Sequence, residues 1–116
     1  MNTDFELALK KLLDAIATDY RDYMLLGNGS SQELDETQKI MMDNFYNTLT
    51  YKEGKKYVKV IKDGSVWGFI MKSDDSKFRA GDILMAASYN TPARNSARGN
   101  IFEDYEVKWT GPNYLR

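Results

Sequence analysis

Asp63-Gly64 separates two runs, KYVKVIK at 56–62 and SVWGFIM at 65–71, in which β-branched and aromatic residues recur at close spacing. No other feature constrains the fold of this chain as tightly. Both central residues of a type I′ turn take positive φ, which Gly adopts without cost and Asp tolerates, so the dipeptide predicts a two-residue β-hairpin. A loop of that length sets the register. Val60 then opposes Trp67 and Val58 opposes Phe69 on one face, Tyr57, Ile61, Val66 and Ile70 lie on the other, and Lys59 faces Gly68. Both faces are largely apolar. One takes the elements that precede the hairpin, and the second needs cover from later chain, another subunit or a ligand.

Those preceding elements have helical periodicity. Thr3 followed by Glu6 forms a capping box that starts a helix at about Asp4. Phe5, Leu9, Leu12, Leu13, Ile16, Tyr20 and Met24 recur at three- and four-residue steps and define one apolar stripe. Gly27-Asn28-Gly29 ends the helix, since Gly accepts the left-handed conformation at a C-terminus. Ser30 with Glu33 forms a second box, and a second helix is predicted over residues 31–51, with Leu34, Met41, Phe45 and Leu49 on its core face and Ile40 and Tyr46 beside them. The short turn makes the pair an antiparallel hairpin. Burial of the four stripe positions is worth about 1.5 to 3 kcal/mol each, more than surface ion pairs supply.

Downstream, 73–76 is a polar loop, Phe78 to Asp82 a turn with Asp82 bonding its own backbone, 83–88 a third strand, and 104–110 a fourth, ended by Gly111-Pro112. The fold class is therefore α+β: an N-terminal antiparallel helix hairpin (1–53) packed on a small, mainly antiparallel four-stranded sheet (54–116), with an irregular loop at 89–100, in a single domain spanning 1–116.

Composition narrows the chemistry. The chain has no Cys and no His, which removes disulfides, thiolate nucleophiles, zinc-thiolate sites and Ser-His or Cys-His catalysis. No apolar run reaches the roughly 20 residues of a membrane span, and MNTDFE lacks a basic signal-peptide start, so a cytosolic home is expected. Net charge is −1, unevenly spread: −5 over residues 1–50, +4 over 51–72 and zero beyond. No phosphate-cradling glycine motif, catalytic motif or metal motif stands out. No catalytic residue, metal or cofactor is assigned.

The stretch FRAGDILMAASYNTPARNSARGN, 78–100, is the candidate site. Arg94 and Arg98 are four apart, so a helical turn would put both guanidinium groups on one side to grip a planar anion. Asn95 and Asn100 add amides, and Tyr89, Trp67 or Trp109 could stack on a base. Residues 76–102 carry a net +3. In the alternative the loop is structural, its arginines pairing with Glu103, Asp104 or the acidic helices.

The C-terminal third, GDILMAASYNTPARNSARGNIFEDYEVKWTGPNYL, is similar to a family of small uncharacterised tailed-bacteriophage proteins that share GDIL-x-AAS, a Pro-Ala-basic-Asn segment, ARGN and WTGP-x-YL. The matching positions run from Gly81 and Asp82 through Pro92, Arg94, Asn95, Arg98 and Asn100 to Trp109, Tyr114 and Leu115. The helix hairpin is outside it. The resemblance implies a phage origin and the host-cell cytoplasm, and brings no activity with it.

Three function classes follow. The first is a non-enzymatic protein that captures an anionic small molecule of nucleotide type. The second is a protein-protein interaction module, docking a host factor or a second copy. The third is a nucleic-acid-binding accessory protein using six lysines between Lys52 and Lys72 with Tyr57 and Trp67, provided that the acidic helices face away. An enzyme built on Asp82, Glu103 and Asp104 ranks last, and no membrane partner is expected.

Overall fold

The computed structural model describes residues 1–29 and 33–112. It contains two helices and antiparallel sheets, an α+β composition. The proposed Ser30 cap and the matched Tyr114 and Leu115 lie outside the described residues.

Helix α1 spans Thr3–Leu26, one residue earlier than expected, because Asn2 rather than Thr3 is the cap: its Oδ1 accepts the Phe5 N–H at 2.8 Å. Phe5, Leu9, Leu12, Ile16 and Met24 of the anticipated stripe are buried. After Gly27 the chain takes positive φ at Gly29 (64°), so the left-handed residue is the second glycine of the turn. Helix α2 spans Glu36–Thr48, shorter at both ends than the expected 31–51. Asp35 caps it in a reciprocal box with Gln38, whose side chain also bonds Asn28 and the Met24 carbonyl, tying the start of α2 to the end of α1. Phe45 is the one buried residue of α2, while Met41 and Ile40 are exposed. The four-residue stripe therefore contributes less than anticipated.

Thr48 ends α2 by turning its hydroxyl onto the Asn44 and Phe45 carbonyls. Leu49–Glu53 then becomes strand β1, where a helical last turn was expected. It pairs antiparallel with β2 (Tyr57–Lys62), which pairs with β3 (Ser65–Met71), which pairs with β4 (Ile83–Leu84), in the order β1-β2-β3-β4. Asp63 (φ 48°) and Gly64 (φ 77°) form the expected turn. The register holds at Lys62↔Ser65 and Ile61↔Val66 and then slips, pairing Val60 with Gly68 and Val58 with Ile70.

That slip is a β-bulge at Trp67, and it exchanges the faces beyond it. Val58, Val60, Trp67 and Ile70 join Leu9, Leu12, Ile16, Phe45 and Leu49 in the main core. Phe69 and Met71 turn to the distal face, where Phe78 and Leu84 join them and Tyr57, Val66, Ala86 and Ala97 pack alongside. The expected placements of Phe69 and Ile70 are thus reversed. Later chain covers much of the second face.

The third strand stops at Leu84 instead of Ser88. β5 (Ala86–Ser88) and β6 (Thr91–Pro92) make a separate hairpin with Tyr89-Asn90 at its turn, so part of the expected irregular loop is ordered as strand. Residues 98–101 then run beside 81–83, through Arg98 N–H to Ile83 O, Ile83 N–H to Gly99 O and Ile101 N–H to Gly81 O, all 2.7–2.9 Å. The expected fourth strand at 104–110 reduces to β7 (Val107–Lys108), paired with β8 (Gly111–Pro112). This small hairpin is anchored to α1 by the Trp109 N–H on Asp19 (2.8 Å), and to β3 by the Trp67 indole N–H on the Lys108 carbonyl (2.8 Å).

Candidate functional site

Arg94 lies beyond β6 in non-helical chain, so the helical turn that would align it with Arg98 does not form. Its guanidinium is engaged on three sides. One Nη donates to Asp75 Oδ2 at 2.6 Å, the other to the Tyr57 hydroxyl at 2.7 Å, and the plane lies 4.8 Å from the Phe78 ring centroid. Asp75 is held well below the usual carboxylate range, first by the Phe78 and Lys77 backbone N–H groups and then by Arg94. The partner is thus Asp75 of the polar loop, neither Glu103 nor Asp104. Glu103 is gripped in two places by Arg79 (2.9 and 3.0 Å).

Arg98 is half-buried, with Nη1 3.6 Å from Met85 Sδ and Nε donating to the Ser96 carbonyl at 3.3 Å. Asn95 accepts the Ser96 N–H. Asn100 is interior: its amide donates to Ala80 O and Asp82 Oδ1, and its Oδ1 accepts the Phe102 N–H. Asp82 bonds the Arg79 N–H, as its turn role requires. Trp67 is 3% exposed and packs in the main core, which removes it as a stacking platform. Trp109 sits in an aromatic group with Tyr20, Tyr23 and Phe45 on the helix side, with the Lys62 ammonium 4.8 Å from its ring centroid. Burial pushes Lys62 down from the ordinary lysine range. Arg98 and Asn95 do meet, with Arg98 Nη2 3.4 Å from Asn95 Oδ1, but the seven candidate residues do not share one site.

Tyr89 stands beside a concavity without lining it. It is 55% exposed at the β5–β6 turn, with Lys59 Nζ 4.0 Å from its ring centroid. Beside it lies an open groove of about 220 Å³ lined by Lys52, Lys55, Lys56 and Lys59 around Tyr57, Phe69 and Asn90. Strand pairing explains the clustering: Lys52 sits directly opposite Lys59 in the β1–β2 register, and Lys55 and Lys56 occupy the turn that joins these strands. Glu53 also lines the groove, but its carboxylate is neutralised by Lys72 at 2.5 Å and by the N-terminal ammonium at 3.8 Å. Its pKa is correspondingly lowered from the usual carboxylate value, chiefly by the Lys72 hydrogen bond. Lys59 Nζ donates to Asn90 Oδ1 at 2.8 Å, and Lys56 lies 3.5 Å from Asp75.

Four other concavities among the described residues are larger, and the two largest of these lack this lysine-rich lining. The first, about 460 Å³, is bordered by Tyr20, Met41, Asn44 and Asp63. In the second, about 510 Å³, Lys10 and Lys11 are offset by Asp4 and Asp14. Among the described residues no group of three His, Cys, Asp or Glu side chains is arranged to hold a metal, and no helix is long and apolar enough to cross a membrane.

The lysine excess at 51–72 was visible in the sequence, but not which lysines share a face. Lys62 turns away to the Trp109 carbonyl, and Lys72 is taken up by Glu53 and the Gly54 carbonyl at the edge of the groove. Comparison with known protein families, curated proteins and solved structures finds no match to the chain.

Proposed function

We propose that this chain is a small non-enzymatic binding protein that captures an anionic, nucleotide-type ligand in the groove of Lys52, Lys55, Lys56 and Lys59. The observation that carries the reading is the charge of that groove: four lysines line it, while its one lining carboxylate is already paired. Lys56 shares its charge with Asp75, which leaves Lys52, Lys55 and Lys59 to meet an entering anion, and the half-buried Tyr57, with the exposed Tyr89 beside the groove, supplies aromatic surface for a base. The architecture in this reading is an antiparallel helix hairpin laid across the four-stranded sheet. The acidic hairpin then lies behind the basic face. The C-terminal resemblance supports a phage-encoded protein acting in the host-cell cytoplasm.

Isothermal titration against mono-, di- and triphosphate nucleotides tests the assignment. Heat is expected with the parent protein and not with the double variant Lys52→Gln, Lys59→Gln. A folded parent that gives no heat with any nucleotide overturns it.

A second reading, docking of a protein partner, is favoured by Leu26, Ile40 and Met41, which are 83%, 61% and 44% exposed on the helices. Light scattering at high concentration separates its homo-oligomer form: a monomeric mass removes it.

A further inference from the structure

We infer that the preferred occupant of the lysine groove is a single strand of nucleic acid, which a free nucleotide matches only weakly, an inference that rests on the anion-binding reading above. Pockets that take small ligands enclose them and typically measure about 300–1,000 Å³. This groove is smaller, about 220 Å³, and open along its length. It falls below the size at which pockets enclose such ligands. Its charge is nevertheless more than one phosphate needs, and it is laid out along a line. Lys52 and Lys59 face each other across the β1–β2 ladder, and Lys55 and Lys56 follow at its turn. The ladder ends at Glu53 and Val58, so Lys52 and Lys59 stand one strand step, about 3.4 Å, before the turn that carries Lys55 and Lys56.

Tyr89 stands at the rim of this line, more than half exposed and fixed by the Lys59 ammonium at 4.0 Å, where a base can stack on its ring. Asn90, the lining amide, accepts from Lys59 through its Oδ1, which leaves its NH2 as the amide group that a base edge can meet. A basic track with a stacking ring and scant edge recognition is the arrangement that holds single strands with little sequence preference. The sheet also resolves the charge conflict. α1 packs on the face of Val58, Val60 and Ile70, whereas Lys59, which pairs with Phe69, projects from the opposite face, so the acidic helix does not confront the strand.

Fluorescence anisotropy with labelled dT3, dT12 and U12, with unlabelled thymidine monophosphate as competitor, tests the inference. Binding is expected to tighten with length from dT3 to dT12. Four phosphate contacts give a salt slope near −2.8, so affinity falls by roughly 50-fold between 50 and 200 mM salt. The Lys52→Gln, Lys59→Gln pair halves that slope. The exposed-turn pair Lys55→Gln, Lys56→Gln does the same, and an unchanged melting temperature shows that either variant is folded. Tyr89→Ala weakens binding by about 5- to 150-fold, the range for one lost base stack, while Tyr89→Phe retains it. The ratio of dT12 to U12 affinity assigns DNA or RNA. If the monophosphate binds as tightly as dT12, the strand inference fails and the anion reading survives. If neither binds, both fail. Salt-insensitive binding of dT12 also overturns the inference.

Discussion

Replacing Ile70 by Ala tests the bulge at Trp67, on which the assignment of sheet faces depends. Ile70 is fully buried in the core that includes Leu9, Leu12 and Ile16 of α1. Removal of a large aliphatic side chain from such a site costs about 2–5 kcal/mol, the transfer loss plus the cavity left behind. With an unfolding entropy of about 2.1 cal/mol/K per residue, a 116-residue chain loses roughly 4 °C per kcal/mol, so Tm should fall by about 8–20 °C. The distal face is also apolar, so a large loss alone does not say which way Ile70 points. A double-mutant cycle does. Ile70→Ala and Leu12→Ala share one cluster and should depart from additivity by about 0.5–3 kcal/mol, whereas Phe69→Leu, on the other face, should add to Leu12→Ala within about 0.5 kcal/mol. Urea unfolding followed by tryptophan fluorescence measures both. Additivity for Ile70 with coupling for Phe69 would restore the unbulged register and refute the face assignment.

Three further outcomes are expected. Arg94→Ala should lower Tm by several degrees, because it strips Asp75 and the Tyr57 hydroxyl of a shared donor, and Arg94→Lys should not restore it, since a single ammonium cannot serve both; an unchanged Tm would return Arg94 to the list of ligand contacts. Asp75 has a depressed folded pKa, so its stabilisation is present above the unfolded value of about 3.9 and is lost as pH falls toward the folded one. The Tm difference between the parent and Asp75→Asn should therefore hold steady from pH 7 to 5 and narrow below about pH 4, and a gap that closes between pH 7 and 5 would contradict this. Gly81→Ala should destabilise by about 1–3 kcal/mol in thermal melts, since Gly81 has φ 87° and an added Cβ would lie 2.7 Å from the Phe102 ring and 2.9 Å from Asn100 Oδ1. A variant as stable as the parent would contradict that packing.

What the sequence disclosed was mostly local. The α1 stripe and the Asp63-Gly64 turn depend on neighbours within a few residues, and both were legible. β1 was not, because residues 49–53 continue a helical pattern and become a strand only through pairing with β2. The bulge escaped for a related reason: both faces of β3 are apolar, so the pattern itself does not set where the register slips. Among the site candidates, residue type misled. Trp67 and Asn100 have the chemistry of ligand contacts, yet each is itself buried and bonds a backbone carbonyl far along the chain, of Lys108 and Ala80 respectively. Arg94 finds Asp75, 19 residues away in a loop whose composition alone says only that it is polar. The basic segment was legible as a charge excess. Its division into groove lysines and structural lysines needed the strand pairing.

The central claim is that anions bind the face of the sheet opposite α1, at the β1–β2 turn. Titrating ¹⁵N-labelled protein with adenosine triphosphate and following backbone amide shifts tests it most directly. The account predicts perturbations concentrated at Lys52, Lys55, Lys56, Lys59, Tyr89 and Asn90, with the amides of α1 unmoved. Shifts centred on α1 or on Trp109, or none at all in a folded sample, would contradict it.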